Sequence, residues 1–481
     1  MSKKNQNYTN RKQNRFQPER MRENVFLNNS GKQWLPGANG RAAKVERLLR
    51  GAKEEKKEIA GNMAGYKDSG VEWIGAIPKG WKVNKLKYIC HEYGKTSLMH
   101  PENNKYIGLE NVISYSDVIN TTDTEYTESI QKVCKKGALL FSKLRPYLAK
   151  VIIAPFDGYC TNEFLEFDYF YGDMRFLKHC LRNPKFINEV DNTTYGVKMP
   201  RTNTGIVLNQ YIPLPPLPEQ QRIADFLDTK CNILDRTIDA VSRQIEDLEK
   251  YKKALITKTV TKGICKKGEP ERAMKDSGVE WIGEDIPFDW DINRLQFCID
   301  EISERNYTGK ETQILSLMKD KGVIPYEEKG KVGNISKTDL TQYKLAYPNT
   351  LITNSMNIII GSSGISQYKG CVSPAYYIFK AKPNNDIRYF NYIFAVRAFQ
   401  NECRRFANGI LEIRLRISST NLLKIKVPVP PLAEQQQIAD YLDEKCKNID
   451  NRVQKRRQQL EWLKEYKKSL IFDYVTGKKR V

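Results

Sequence analysis

Two Asp-x-Lys pairs are the residues of this 481-residue sequence that come closest to a hydrolytic site: Asp228 with Lys230, and Asp443 with Lys445. Nucleases hold catalytic metal ions with carboxylates that are grouped in one site. Both pairs instead fall inside long helical patterns, away from any strand and from any metal-binding cluster of Asp and Glu. We interpret them as solvated helix charges and predict that this chain alone catalyses nothing.

Motifs for cofactor-dependent chemistry are also incomplete. Gly94-Lys95-Thr96 matches the end of a phosphate-binding loop, but Ile89 stands where that loop requires glycine. An adenine methyltransferase needs a Gly-rich loop and an Asn/Asp-Pro-Pro-aromatic motif to hold a flipped base. The Pro-Pro pairs here follow Leu214 and Val429. The sequence therefore predicts no cofactor bound by this chain.

Cations and amides in turns are better candidates, because they suit contact with DNA. Lys143 and Arg145 precede Pro146 at a strand end, which favours phosphate or guanine contact. The matched stretch of the second half, Asn354 to Asn357, carries amides that suit an adenine edge or a turn cap. Arg201 and Arg414 each lie five residues after a glycine, either as backbone clamps or as structural bonds within the fold. Lys198 and Arg416 are weaker candidates.

Charge points to the same class of partner. The formal net charge is +22 and the pI is about 9.3. Lys and Arg gain affinity for phosphates by releasing condensed counterions, so we expect double-stranded DNA as a partner. A merely solvated basic surface is the alternative.

Other features exclude several classes of protein. No stretch of 18 apolar residues occurs and the N-terminus lacks the apolar core of a signal peptide, which predicts a cytoplasmic protein without membrane contact. Ten cysteines are scattered without a C-x-x-C pair, and the sequence has three histidines, His91, His100 and His179. This pattern predicts reduced, mostly buried thiols and no metal site.

An internal repeat organises the chain from residue 63 onward. The sequence KDSGVEWIG at 67–75 returns unchanged at 275–283, and PLPPLPEQQRIADFLDTKC at 213–231 returns as PVPPLAEQQQIADYLDEKC at 428–446. Between these ends, short apolar runs bounded by Gly and Pro predict mixed α/β modules. We predict a first module at 63–217, a central helix at 218–263, a linker at 264–274, a second module at 275–432 and a C-terminal helix at 433–478. Trp73 and Trp281 are expected to pack the modules on their helices.

Each Pro-Pro pair ends a module and allows a helix to begin. Apolar residues then recur with a period of about 3.5, which is the seam of a coiled coil. The seam residues are Leu227, Leu234, Ile238, Val241, Ile245, Leu248, Leu442, Ile449, Val453, Leu460 and Leu463. Helices of roughly 40 residues, or about 60 Å, would expose this apolar stripe to water unless they paired. We expect antiparallel pairing, with packing of each helix on its own module as the alternative.

Such a pair would be a rigid spacer between two different reading heads. Half-sites about one helical turn, or roughly 10 bp, apart would leave an unread gap of about 5 to 8 bp. Polar residues exposed on the helices, such as Gln220, Arg222 and Gln244, would form either a solvated face or a docking surface for partner proteins.

Taken together, the twin KDSGVEWIG openings, the twin P-x-P-P-L-x-E-Q-Q-x-I-A-D helix starts and the Tyr-Lys-Lys near both helix ends resemble a type I restriction-modification specificity subunit. The resemblance covers residues 63 to about 478. It implies two target recognition domains that alternate with two conserved helices, and a bipartite, asymmetric DNA target. It also implies modification and motor-nuclease restriction subunits as partners. Those partners would carry S-adenosylmethionine, ATP and Mg, and would methylate adenine.

Residues 1–62 depart from that pattern, since members usually begin near KDSGVEWIG. This segment has fifteen Lys and Arg against six Asp and Glu, and it is predicted to be disordered. Either it holds DNA weakly, or Met63 is the true start. Two functions of other classes remain open: a self-sufficient nuclease with an unrecognised site, and a coiled-coil adaptor that binds DNA without sequence preference.

Overall fold

A computed structural model describes residues 65–99, 105–120, 129–196, 198–264, 272–318, 321–330, 339–407 and 415–481. The N-terminal segment 1–62, Met63, His100, Arg414 and most of the predicted linker lie outside these residues. The described residues from Tyr66 to Val481 belong to one unit.

The first module combines short strands with short helices. Its strands are β1 (Tyr66–Asp68), β2 (Ala76–Pro78), β3 (Lys82–Lys85), β4 (Cys90–Glu92), β5 (Thr96–Leu98), β6 (Tyr106–Ile107), β7 (Ile130–Cys134), β8 (Leu139–Ser142), β9 (Val151–Ile153), β10 (Gly158–Cys160), β11 (Phe164–Phe170) and β12 (Tyr211–Leu214). Its helices are α1 (Leu86–Ile89), α2 (Met174–Leu181), α3 (Pro184–Asp191) and α4 (Thr204–Leu208). Two four-stranded sheets have the orders β5-β7-β10-β6 and β4-β11-β8-β9.

Local sequence explains the central elements of this module. All four residues of β8 are buried, as expected for an apolar run in the middle of a sheet. Helix α2 begins where the Asp173 side chain accepts a hydrogen bond from the Arg175 backbone N–H. Helix α3 begins with Asn183 as cap and Pro184 at its first position. These short helices cover the sheet that holds β8.

A second module repeats this plan. Its strands are β13 (Met274–Val279), β14 (Gly283–Pro287), β15 (Asp291–Arg294), β16 (Ile299–Glu301), β17 (Leu315–Met318), β18 (Gly322–Pro325), β19 (Lys344–Ala346), β20 (Leu351–Asn354), β21 (Ser363–Ile365), β22 (Gly370–Val372), β23 (Tyr376–Ala381) and β24 (Lys426–Val429). The helices of the second half are α6 (Ile387–Ala395), α7 (Arg397–Arg405) and α8 (Ser419–Leu423). The order β16-β23-β20-β21 corresponds strand for strand to β4-β11-β8-β9.

Two long helices, α5 (Leu217–Lys262) and α9 (Leu432–Val475), follow the modules and are called the spacer helices below. Each begins directly after a Pro-Pro pair. Of the eleven seam residues, eight are buried, and Ile238, Leu248 and Leu460 are half-buried. Both helices therefore bury one stripe along their length.

The spacer helices pair antiparallel, as predicted. The Lys252 ammonium lies 2.7 Å from the Asp450 carboxylate, and Lys467 pairs in the same way with Asp235. Both lysines are the middle residue of a Tyr-Lys-Lys repeat. The two repeats thus make reciprocal bonds, one near each end of the overlap.

Each module also packs on both spacer helices. The predicted pairing of the helices and its alternative, packing of each helix on its own module, are therefore both present. One hydrophobic core joins the first module to the N-terminal part of α5 and the C-terminal part of α9. A second core joins the other module to the opposite ends. The Tyr66 hydroxyl donates to the Gly477 carbonyl, and the Tyr389 hydroxyl donates to the Val260 carbonyl. The modules consequently sit at opposite ends of the pair.

The repeated helix start is a junction made of side-chain hydrogen bonds. Trp81 donates its indole N–H to Glu219 at 2.9 Å, and Trp290 donates to Glu434 at the same distance. The buried Gln220 amide accepts from the Asp173 N–H and donates to the Pro215 carbonyl. Gln435 makes the equivalent two bonds with Asp386 and Pro430. The prediction that Gln220 is exposed is wrong, because its amide satisfies backbone groups where strand and helix ends meet.

Trp73 and Trp281 pack within their own modules. Trp73 contacts Phe186 of α3 edge-on at 5.9 Å, and Trp281 contacts Phe399 of α7 at 5.2 Å. The tryptophans that bond to the spacer helices are Trp81 and Trp290.

Asp228 is not a solvated charge, and that interpretation of the first Asp-x-Lys pair is wrong. One of its oxygens lies 2.8 Å from both Lys178 Nζ and His179 Nε2, and the Lys178 and His179 side chains are almost wholly buried. Lys178 also reaches Asp117, which binds the buried guanidinium of Arg182. Burial alone would raise the pKa of Asp228, but the hydrogen bond from His179 and the charge of Lys178 lower it to about 2. Asp228 therefore fixes α2 to α5.

Asp443 occupies the same place on α9, but neither of its partners is a buried charge. It accepts a hydrogen bond of 2.6 Å from the Tyr392 hydroxyl and a longer one from Arg388. The aspartate of each Asp-x-Lys pair thus holds a module to its helix, and Asp443 remains half-exposed.

We expect His179 to make the first module less stable in mild acid. Burial, opposed by the bond to Asp228, lowers the pKa of His179 to about 4. The imidazole is neutral in both states at pH 7, but between about 6.5 and about 4 only the unfolded chain takes up the proton. The free energy of unfolding should fall by about 3 kcal/mol across that window as the pH falls.

Hydrogen exchange of α2 amides at pH 7 and pH 4.5 would measure this effect as the difference between wild type and His179→Gln. The variant must be compared with wild type because a second group titrates in this range. Burial raises the pKa of the Glu166 carboxyl to about 7, so its protonation stabilises the folded module as the pH falls. An equal slope in wild type and His179→Gln would contradict the prediction.

The cysteines of the described ranges are mostly buried. The nine described cysteines are free, and all but Cys90 are buried. Within the described ranges, no three His, Cys, Asp or Glu side chains are grouped so that they could hold a metal ion. None of the helices described here is both long and apolar enough to cross a bilayer.

Candidate nucleic-acid interface

Two distant segments meet at the end of β8 in the first module. The Thr202 N–H donates to the Lys143 carbonyl at 3.0 Å, and the Arg145 N–H donates to the Pro200 carbonyl at 2.7 Å. Lys143, Arg145 and Arg201, which were selected from separate parts of the sequence, therefore lie in adjacent segments of the fold. Lys198 is exposed on the same segment. We call these four residues the basic cluster.

A carboxylate lies beside the basic cluster. Arg201 Nη2 is 3.2 Å from Glu163 Oε1, and both side chains are partly exposed. Burial and the nearby charges of Lys132 and Arg201 lower the pKa of Lys143, while Glu163 opposes the shift. Several cations within reach of one another repel, so this surface gains when a polyanion approaches.

Arg145 is held in an unusual backbone conformation. Its φ of 51° and ψ of 62° are left-handed, a region that non-glycine residues seldom occupy. The side-chain Nε is buried and has no hydrogen-bond partner. Strain of this kind persists at functional sites where the surrounding structure maintains it. Here two backbone bonds to the Pro200 and Thr202 segment maintain it.

The second module presents amides at the corresponding place. Asn354 is buried and its side-chain oxygen accepts from the Met356 N–H at 3.0 Å, so it caps the turn. Asn357 is exposed just before a single 3₁₀ turn, and its side chain makes no capping bond there. Arg416 is exposed and its Nε donates to the Ser355 hydroxyl at 3.0 Å. Of the two asparagines, Asn357 is the one placed to meet a ligand.

Hydrogen-bond register shows which residues of the two modules are equivalent. The Ile417 N–H donates to the Ser355 carbonyl as the Thr202 N–H does to Lys143. The next residues, Asn203 and Ser418, cap α4 and α8 with their side chains. Arg416, and not Arg414, is therefore the counterpart of Arg201. The equal spacing from glycine was misleading because the loop lengths differ.

No sequence pattern singles out Glu163. Its counterpart in the second module is Ala375, since the Lys143 and Ser355 N–H groups donate to the carbonyls of Glu163 and Ala375 respectively. A residue type that the repeat does not share cannot be found from the repeat. Glu219 and Gln220 did have a signal, because Glu-Gln-Gln recurs at both helix starts.

Comparison with known proteins gives a family match in both halves. The model described as "Type I restriction modification DNA specificity domain" matches residues 78–250 and 294–461. Each match covers most of one module and most of the spacer helix that follows it.

Curated relatives agree with that match. The chain is 30% identical over 301 residues to the type I restriction enzyme MjaVIII specificity subunit of Methanocaldococcus jannaschii, covering 60% of this chain and 66% of that protein. It is 28% identical over 444 residues to a putative type I restriction enzyme MjaX specificity subunit of the same organism, covering 85% and 96%.

A solved structure shares the fold. That structure concerns complex assembly and conformational transition of the type I R-M system. One of its chains superposes on this protein with a TM-score of 0.60 at 18% sequence identity. The match covers 84% of this chain and 99% of that chain.

Proposed function

Since this chain belongs to the type I restriction-modification DNA specificity subunit family, we propose that it selects a bipartite, asymmetric DNA target for partner subunits. The first and second modules are its two target recognition domains. Each reads one short block of double-stranded DNA, and the spacer helices set the distance between the blocks.

The observation that carries this proposal is the difference between two equivalent surfaces. The basic cluster in the first module corresponds to Ser355, Asn357 and Arg416 in the second. Arg and Lys suit guanine and phosphate, whereas Asn suits adenine. Two heads with one scaffold and different contact chemistry read different blocks, which makes the target asymmetric.

The spacer helices bear on the gap between the blocks. Along α5, hydrogen bonds from the first module reach residues from Glu219 to Asp235, and one from the second module reaches Val260, so these anchors are about 38 to 62 Å apart at 1.5 Å per residue. One turn of B-DNA is about 34 to 36 Å. Half-sites about 10 bp apart therefore require the reading surfaces to lie inward of these anchors.

Partner subunits complete the activity in this proposal. Modification subunits, which bind S-adenosylmethionine, and restriction subunits, which use ATP and Mg, would dock along the exposed faces of the spacer helices. Arg222 and Gln244 remain exposed there and are candidates for such contacts. Their side chains lie away from the seam.

Co-expression with a modification subunit, followed by sequencing that detects methylated adenine, tests the proposal. We expect methylation at one motif with two different blocks and an unread gap, and none when either subunit is expressed alone. Metal-dependent cleavage by the purified chain would favour the nuclease alternative. Equal affinity for all duplexes at a fixed salt concentration would favour the adaptor.

A further inference from the structure

Four positions around the end of β8 can be compared between the modules. The backbone bonds described above make Lys143 equivalent to Ser355, Glu163 to Ala375 and Arg201 to Arg416. Counting two residues along the turn, Arg145 corresponds to Asn357. Only the arginine pair is shared. An element common to both half-sites, such as a phosphate, suits the shared arginine, and the three positions that differ suit the bases.

Glu163 is the unexpected member of this set. A carboxylate on a surface for DNA repels phosphates, and the second module does without one at this position. One oxygen, Oε1, is held by Arg201 at 3.2 Å, and the other, Oε2, is buried without a hydrogen-bond partner. Because Oε2 is buried, an incoming donor would share Oε1 with Arg201, and a carboxylate oxygen has lone pairs for both. The arginine contact fixes the direction of the carboxylate and neutralises part of its charge. A group fixed in this way is preorganised to accept a hydrogen bond.

Base chemistry limits what can donate that bond. In the major groove, the amino groups of cytosine N4 and adenine N6 are donors, while guanine and thymine present acceptors at the matching places. A carboxylate can only accept, so it attracts an amino group and rejects a carbonyl oxygen. Glu163 would therefore discriminate at one base pair by both attraction and repulsion.

We propose that Glu163 is a specificity-determining residue of the first module, whose carboxylate, oriented by Arg201, accepts a hydrogen bond from the exocyclic amino group of one cytosine or adenine. This inference rests on the proposed function, and it extends it by naming one group that is read. The second module has Ala375 at this position and therefore lacks a carboxylate that would select an amino group in its block.

The test uses the full chain and duplexes that carry the mapped motif. At each cytosine or adenine of the block read by the first module, the base is replaced with an analogue that lacks the amino group: pyrimidin-2-one or purine. Wild type should lose affinity on the order of 5- to 150-fold at one such position. The analogue that causes the loss identifies cytosine or adenine.

Glu163→Ala should bind the natural base and its analogue equally at that position and keep full discrimination in the other block. Glu163→Gln, which keeps an acceptor oxygen in the same shape, should retain part of the preference and controls for folding. Arg416→Ala serves as the comparison for a residue expected to contact phosphate, since Arg416 is the equivalent arginine of the second module and bonds to Ser355 rather than to Glu163. It should weaken binding to all sequences alike and leave discrimination in the first block intact.

Two results would overturn the inference. A uniform loss of affinity in Glu163→Ala, as expected for Arg416→Ala, would make Glu163 only a structural partner of Arg201. Alternatively, discrimination could stay intact at every position of the first block. In both cases wild type still prefers the motif, so the proposed function survives. If wild type itself shows no sequence preference, the proposed function fails as well.

Discussion

Asp228→Ala is expected to destabilise the first module by about 3 to 5 kcal/mol, which is the usual effect of removing one partner from a buried ion pair. The substitution leaves the nearly buried Lys178 with Asp117 alone and takes the hydrogen-bond partner from the buried His179. It also removes two of the polar bonds that hold α2 to α5, while Arg175 of α2 still pairs with Asp225. Hydrogen exchange should show lost protection in α2 and α3.

Asp443→Ala is the matched control on the second spacer helix. Its partners are the Tyr392 hydroxyl and the half-exposed Arg388, and neither becomes a buried unpaired charge when the carboxylate is removed. We expect a loss of about 1 kcal/mol, typical of one hydrogen bond, seen in α6. Equal losses for the two variants would show that the buried charges of the first module do not depend on Asp228.

Replacing Lys143 and Arg145 together with alanine is expected to weaken recognition of the first block by about 1 to 3 kcal/mol. Both residues lie on the surface formed by the end of β8 and the Pro200 segment, and both are cations that can bond to guanine or phosphate. Loss of base contacts should lower affinity for the motif more than affinity for unrelated DNA. The ratio of these two affinities is the quantity to measure.

Binding titrations at one salt concentration should use duplexes with the first, the second or both blocks scrambled. For the double variant, scrambling the first block should matter little, while scrambling the second should matter as in wild type. Asn357→Ala is the counterpart in the second module and should show the reverse pattern. A double variant that loses the same factor on every duplex would assign Lys143 and Arg145 to phosphates only.

The hydrophobic period and the Pro-Pro pairs predicted the helices correctly. The seam residues from Leu227 to Leu463 were found by their period, and the structure buries or half-buries all eleven. The Pro-Pro stops placed the helix starts within about two residues. Period and backbone restrictions act over a few neighbouring residues, so they can be read directly from the chain.

Contacts between distant segments had no such signal. Asp228 resembles a solvated helix charge until α2 brings Lys178 and His179 against it. Gln220 resembles a surface residue until the module end meets the helix start.

The doubled α/β module, the two long helices and the likeness to a family can be read from the chain alone, because the repeat and the period are local patterns that occur twice. The fold was needed to show that Arg416 is the counterpart of Arg201 and that Glu163 lies among the cations of the basic cluster. Those relations depend on backbone bonds across loops of unequal length, so spacing along the chain cannot give them.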